Sequence, residues 1–146
     1  MRENLYKAKR LDNGEWVEGD VLKSDEHYFI IPSMGVCCVE EYEHAIANKF
    51  IQLYAYEVDP ETICQYTGQT DKNENNIFEN DRVVARDGSR TTGTVKFGLY
   101  DGKHYGFHIV WDGLCAYRKE ICYWANNNLI KVIGNIYDNR ELLETK

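Results

Sequence analysis

A run of oxygen-bearing side chains near the middle of the chain has the spacing of a calcium-binding loop. Asp71, Asn73 and Asn75 occupy alternate positions, and Glu79 follows them. Such loops use side-chain oxygens at the first, third and fifth positions and a bidentate glutamate at the twelfth. Counted from Asp71, the twelfth position is Arg82, whose guanidinium would face the cation where its strongest ligand is needed. We therefore expect no metal at this loop.

The same run also has the composition of two successive turns. Asp and Asn side chains bond to nearby backbone amides and tolerate left-handed backbone conformations. Ile77 and Phe78 supply an apolar anchor, residues 79–81 (Glu-Asn-Asp) form a second turn, and Val83 begins an apolar strand. This pattern predicts a structural double turn that leads into a buried strand.

Two histidines form the other candidate metal site. His104 and His108 are four residues apart in a strand pattern, which places them on one face. A cysteine could complete such a site, but no cysteine or carboxylate is spaced with them. We expect a solvent-facing stripe or one core histidine instead. The chain contains no G-x-S-x-G, P-loop or dinucleotide motif, so we predict no enzyme, no catalytic residues and no cofactor.

The cysteines indicate a reducing compartment. They are odd in number and include no C-x-x-C pair, which argues against both a disulfide framework and a zinc knuckle. The five are Cys37, Cys38, Cys64, Cys115 and Cys122. The N-terminal sequence lacks an apolar segment of signal-peptide length, and no run approaches the ~18 apolar residues of a membrane span. We expect a soluble, cytoplasmic protein with no membrane partner.

The charge balance argues against general nucleic-acid binding. The formal net charge is −7, whereas proteins that bind duplex DNA usually carry a basic stripe that neutralises phosphates. Two short basic clusters occur, one at residues 7–10 and one formed by Arg82, Arg86 and Arg90. Because of the second cluster, the alternative function is binding to single-stranded nucleic acid.

The composition and the turn signals predict a mainly β fold. The chain has 11 Tyr and only 2 Pro, a composition that favours strands. Asn13-Gly14 predicts a hairpin turn. From residue 82 onward, short apolar segments alternate with Asp-Gly turns, as in a small antiparallel barrel. We therefore predict two small antiparallel β units, an N-terminal β-rich unit (1–65) and a C-terminal SH3-like barrel with a terminal helix (66–146).

Short helices are expected at three places. The spacing of Tyr42, Ile46 and Phe50 predicts one over residues 40–50. Asp59 followed by Pro60 predicts a capped helical corner. Asp138, with Glu141 three residues later, predicts a capped terminal helix.

Three segments resemble the YopX family of phage and prophage proteins. They are "RLDNGEWVEGDVL", "VDPETICQYTGQTDKNENNIFENDRVV" and "VIGNIYDNRELLE", and the resemblance extends over essentially the whole chain. It implies a phage-encoded cytoplasmic protein and supplies no catalytic residues. The chain departs from the family where glycine is usual, at Glu74 and at Asn80. Asparagine tolerates positive φ better than glutamate does, so we expect Asn80 to keep its turn more easily.

Aromatic residues provide the main functional indication. They are concentrated in the second half of the chain, and exposed aromatic residues on a small barrel often bind peptides or single-stranded nucleic acid. The predicted binding face comprises Tyr100, Tyr105, Trp111 and Trp124 together with Arg82, Arg86 and Arg90. Among these we expect Trp124 to be exposed. The sequence thus predicts a non-enzymatic, protein-binding and self-associating accessory module. Its expected partner is a second copy, another phage protein or a host protein.

Overall fold

The structure is a computed structural model that describes residues 5–32, 55–86, 90–113 and 118–138. Strands dominate these residues, and every strand pairing is antiparallel, which confirms the predicted mainly β fold. The strands are β1 (Tyr6–Lys9), β2 (Trp16–Ser24), β3 (His27–Pro32), β4 (Tyr56–Val58), β5 (Cys64–Thr70), β6 (Asn76–Phe78), β7 (Asp81–Ala85), β8 (Thr92–Tyr100), β9 (His104–Trp111) and β10 (Ile130–Asn135).

Two helical segments accompany these strands. A 3-10 turn spans Pro60–Thr62, and helix α1 spans Ile121–Asn126. The first matches the predicted corner, whereas no sequence signal led us to expect α1. The predicted helix over residues 40–50 lies outside the described residues. So do the residues that follow Asp138 in the predicted terminal helix.

The chain forms two compact units, Met1–Gln65 and Tyr66–Lys146. In the first unit, β2 pairs with β1 and β3, β3 pairs with β4, and the first residues of β5 pair with β1. Ala8, Ile30 and Val58 form its buried core. Gly14 adopts a φ of +74° in the turn between β1 and β2, as the Asn-Gly hairpin signal predicts.

The helical corner before β5 is held by side-chain caps. The Asp59 carboxylate accepts a hydrogen bond from the Glu61 amide at 3.0 Å, and Pro60 occupies the first helical position. The Thr62 hydroxyl donates to the Asp59 carbonyl at 2.7 Å and accepts from the Lys9 amide at 2.9 Å. These contacts confirm the predicted cap and join the corner to β1.

The second unit contains a four-stranded antiparallel sheet in the order β10-β7-β8-β9. Its core consists mainly of aliphatic side chains with two tryptophans, namely Ile77, Val83, Ala85, Val95, Ile109, Trp111, Ile121, Trp124, Ala125 and Ile130. The small antiparallel unit expected here is confirmed. Among the strands that the structure describes, no pairing joins β9 to β10, so they do not close into a barrel.

Asp71 organises the loop that resembles a calcium site. Its Oδ1 accepts hydrogen bonds from the amides of Asn73 at 2.8 Å and Asn75 at 2.9 Å, and its Oδ2 accepts one from the Val132 amide at 2.9 Å. The side chain is buried. Its oxygens therefore bond to backbone, as the turn interpretation predicts. In the described parts of the chain, no three His, Cys, Asp or Glu side chains are grouped closely enough to bind a metal ion.

The two departures from glycine both adopt left-handed backbone conformations. Asn80 has a φ of +73°, and Glu74 has a φ of +66°. Asn80 is tied by its side chain, which accepts from Lys96 Nζ at 2.8 Å and donates to the Tyr137 hydroxyl at 3.2 Å. Glu74 is exposed, and no side-chain contact offsets its conformation among the described residues. The left-handed conformation of Glu74 therefore destabilises the first turn, whereas the side-chain hydrogen bonds of Asn80 offset the same conformation in the second turn.

Replacing Glu74 by glycine should stabilise the protein. A left-handed non-glycine residue costs about 1–2 kcal/mol, whereas the extra unfolded-state entropy of glycine costs about 0.5–1 kcal/mol. We expect Glu74→Gly to raise the free energy of unfolding by about 0.5 kcal/mol in urea denaturation. Lys72→Gly is the matched control in the same turn and should lower it, because Lys72 has a negative φ. Destabilisation by both substitutions would contradict this account.

Candidate functional site

The β8–β9 hairpin extends beyond the core of the second unit. Its strands pair continuously from Gly93↔Trp111 to Tyr100↔His104. Alternation places every second residue on one face, and on the core face Val95 and Ile109 are fully buried. Farther along, the same face emerges into solvent. The side chains there are 43% exposed at Phe97, 63% at Leu99 and 73% at Tyr105.

We call Phe97, Leu99, Tyr105 and Phe107 the hairpin face. Phe97 lies opposite Phe107, and Leu99 lies opposite Tyr105. The Phe97 ring packs 4.7 Å from the Phe107 ring and 5.3 Å from the Tyr105 ring, centroid to centroid, with the second pair edge-to-face. Phe107 also packs against the core. The exposed rings are therefore fixed in place by their neighbours, and they form one contiguous apolar surface.

The opposite face of the hairpin is closed by Tyr100 and His108. Gly98 and Gly106 pair between them, with φ values of +143° and +152° that glycine alone adopts readily. The Tyr100 ring stacks on the His108 ring at 4.6 Å, so it leans across this glycine pair. Burial, followed by the charge of Glu120, raises the pKa of Tyr100. Tyr100 therefore does not share a face with Tyr105, contrary to the predicted binding face.

His108 is the buried histidine of the pair, on the face opposite Val95 and Ile109. It is buried, and its Nδ1 lies 3.0 Å from the Gly106 carbonyl oxygen. His104 is exposed and stays near Tyr100, with a ring separation of 5.3 Å. The two histidines thus differ in burial and pack against one tyrosine.

An ion pair anchors the hairpin turn. Lys119 Nζ donates to Asp101 Oδ1 at 2.6 Å, and this hydrogen bond is the main reason that the pKa of Asp101 is lowered. The segment around Lys119 also runs beside β9, because the Ile109 amide donates to the Lys119 carbonyl at 2.9 Å and His108 forms a β-bridge with Glu120. One end of the outer edge of β9 is therefore occupied.

The two tryptophans of the predicted binding face are buried. Trp111 is 8% exposed and Trp124 is 4% exposed, and both indole Nε1 atoms donate to the Arg118 carbonyl, at 2.9 and 2.8 Å. The expectation that Trp124 is exposed is wrong. Helix α1 starts at Ile121, so Trp124 lies three residues later on the same helical face and packs into the core. The neighbouring asparagines end this short helix.

Arg82, another residue of the predicted binding face, is also buried. It is 1% exposed, and its guanidinium donates to Asp112 Oδ2 at 2.5 Å, to Asp112 Oδ1 at 3.1 Å and to the Thr94 hydroxyl at 2.7 Å. Thr92 bonds to both Arg82 and Asp112. Arg82 cannot reach a phosphate, because a buried guanidinium must keep its carboxylate partner.

The other two arginines are exposed, and they do not join the hairpin face. Arg86 follows β7 and Arg90 precedes β8. With Val84 and Ala85 they border a concave site of about 270 Å³. Of the seven residues in the predicted binding face, only Tyr105 belongs to the hairpin face.

Phe97 and Leu99 belong to the hairpin face but not to the binding face predicted from the sequence. Their signal was the alternation in "TVKFGLY", in which Val95, Phe97 and Leu99 occupy every second position. Such a pattern predicts one apolar face, and it does not show where the covering core ends. The exposed part of that face could be found only from the packing.

Together, the fold and this surface define a mainly β protein of two small units with an exposed aromatic hairpin. The family model described as YopX protein matches residues 5–144, and the chain belongs to the YopX family. A crystal structure of protein EF1440 from Enterococcus faecalis is similar, with 20% identity, a TM-score of 0.49 and coverage of 98% of this chain and 99% of that chain. No curated protein matches. Among the described residues, no helix is long and apolar enough to span a membrane.

Removing Lys119 should raise the pKa of Asp101. We expect Lys119→Met to move it toward the ordinary aspartate value of about 3.9, as followed by carboxyl NMR titration. Lys103→Met is the control and should leave it unchanged, because Lys103 does not contribute to the shift. Since the folded pKa is the lower one, this pair stabilises the fold above the unfolded-state pKa. The contribution is lost as pH falls through the folded pKa. An unchanged titration in Lys119→Met would contradict the ion pair.

Proposed function

We propose that this chain is a non-enzymatic protein-binding module that contacts its partner through the hairpin face. The observation that carries the proposal is the contiguous exposure of Phe97, Leu99 and Tyr105 on one face of a paired hairpin. Apolar patches of this kind on soluble proteins are often interaction sites. In keeping with the family resemblance, the module would serve as a phage or prophage accessory protein in the host cytoplasm.

The energetics of the hairpin face favour binding. Burial of apolar surface contributes roughly 25 cal/mol per Å², and aromatic residues are frequent among the residues that dominate binding energy. Phe97 and Tyr105 are already held by edge-to-face packing at 5.3 Å. Binding therefore costs little additional side-chain entropy, which leaves more of the burial energy as affinity.

Protein is a better partner than nucleic acid for this surface. Arg82 is committed to Asp112, so the predicted arginine cluster is reduced to Arg86 and Arg90, which do not belong to the hairpin face. A chain with a net charge of −7 would also repel a polyanion over most of its surface. The aromatic surface and the remaining basic residues are thus separate features.

The partner can be a second copy or another protein, and the area of the surface bears on this choice. The three exposed side chains present roughly 350 Å² if a fully exposed large side chain has about 200 Å². Stable interfaces bury about 800 Å² on each partner. The hairpin face alone is too small for a stable interface between two folded surfaces, so we favour a different protein that adds contacts beyond this face over the self-association that the sequence suggested.

Site-specific photo-crosslinking in host cells tests this proposal. A photoreactive phenylalanine analogue at position 99 should give a discrete crosslinked protein band, because Leu99 is 63% exposed within the hairpin face. The matched control places the analogue at Asp20, an exposed strand position of the first unit. Adding Tyr105→Ser to the position 99 variant should reduce the band at least several-fold while the urea midpoint stays unchanged.

Two results would contradict the proposal. One is equal crosslinking at positions 99 and 20, which would mean that the hairpin face has no preference for protein. The other is crosslinking of nucleic acid rather than protein at position 99. A band at twice the chain mass would support protein binding and would identify the partner as a second copy.

A further inference from the structure

Within the described residues, the outer edge of β9 is open beside the hairpin face. β9 lies at one edge of its sheet, and backbone groups along a strand point alternately to the two sides. The Asp112 amide donates to Thr92 in the direction of β8, whereas the Ile109 amide donates to Lys119 in the opposite direction. Tyr105, four residues before Ile109, therefore directs its backbone N–H and C=O away from β8.

Tyr105 combines an open backbone position with the most exposed ring of the hairpin face. In the parts of the chain that the structure describes, no backbone group bonds to Tyr105 on its outer side. Residues 119–120 already occupy the edge beside His108 and Ile109. Because an antiparallel bridge of this type also engages the carbonyl of Phe107, the open edge extends over residues 104–106, next to the apolar side chains. Unpaired edges of this kind accept an additional strand.

The open edge is too short for two copies of β9 to pair well. In an antiparallel pair centred on Tyr105, each copy would place its own turn at the position that residues 119–120 of the other copy occupy. The roughly 350 Å² of exposed apolar surface is also below the ~800 Å² per partner of a stable interface. A single extended segment avoids both limits, because it is narrow and adds backbone hydrogen bonds to the apolar contact.

The charges at the hairpin turn specify the segment further. Asp101 is paired with Lys119, whereas Lys103 has no ion-pair partner among the described residues and is exposed. His104 is exposed beside it. This end of the open edge therefore presents positive charge on an acidic chain and complements a carboxylate.

We propose that a partner protein contributes an extended segment that adds as a strand to the 104–106 edge of β9, where it bonds to the backbone of Tyr105. The alternate apolar side chains of this segment cover the hairpin face, and a carboxylate near one of its ends contacts Lys103. This inference rests on the proposed function, to which it adds the mode of binding and the chemistry of the partner.

Selection from a random dodecapeptide library against the full chain provides the probe. We expect the enriched peptides to alternate apolar and polar residues and to carry at least one Asp or Glu near an end. Their affinity should fall at least tenfold for Tyr105→Ser and severalfold for Lys103→Met. Lys72→Met, a substitution in the turn after β5, is the charge-matched control and should leave the affinity unchanged.

Amide hydrogen exchange with the best peptide distinguishes strand addition from a contact with side chains alone. The Tyr105 amide should exchange at least tenfold more slowly in the complex, because it becomes a donor to the added strand. A Tyr105→Pro variant removes that donor without removing a β8–β9 hydrogen bond, as proline is tolerated at edges. The Tyr105→Pro variant should bind the peptide more weakly than Tyr105→Ser does, because Tyr105→Ser loses the ring but keeps the amide donor.

The outcomes separate this inference from the proposed function. Three results overturn strand addition and leave protein binding intact. These are peptides with helical apolar spacing, peptide binding without slower exchange at Tyr105, and a dimer of the free chain that Tyr105→Ser dissolves. If no enriched peptide depends on Tyr105, both proposals fail. If Tyr105→Pro does not fold, the exchange rates of the unsubstituted chain decide the question.

Discussion

The buried guanidinium of Arg82 constrains the strand register of the second unit. A buried charge must be paired, and Arg82 finds its partners on β8 at Thr94 and just after β9 at Asp112. A one-residue slip of a strand would break these bonds and would also turn every side chain to the opposite face. The register of the β8–β9 hairpin, and with it the exposure of the hairpin face, therefore depends on this pair.

The hairpin face exists because β8 and β9 are longer than the core beneath them. Val95 and Ile109 belong to that core, whereas the same alternation continues outward through Phe97 to Leu99 without further cover. An uncovered apolar surface costs solubility, and the aromatic pair of Phe97 and Tyr105 keeps it ordered. The proposed protein contact is the role that we assign to this surface.

Features controlled by neighbouring residues could be predicted from the sequence. The Asn13-Gly14 turn, the Asp59 cap and the left-handed Asn80 all follow from local backbone chemistry. The burial of Arg82 and Trp124 could not be predicted, because their partners, Asp112 and Arg118, lie 30 and 6 residues away and meet them only in the folded chain. Side-chain types suggested a binding face, whereas packing decided which residues are exposed.

The hairpin face as a protein contact is tested most directly by fluorine NMR inside living cells that express the chain. With 3-fluorotyrosine incorporated throughout, the Tyr105 resonance should shift or broaden in cells relative to the purified chain. The resonance of Tyr56, 37% exposed in the first unit, should change much less, and each signal can be assigned by a Tyr→Phe substitution. Equal behaviour of the two resonances would contradict a partner at the hairpin face.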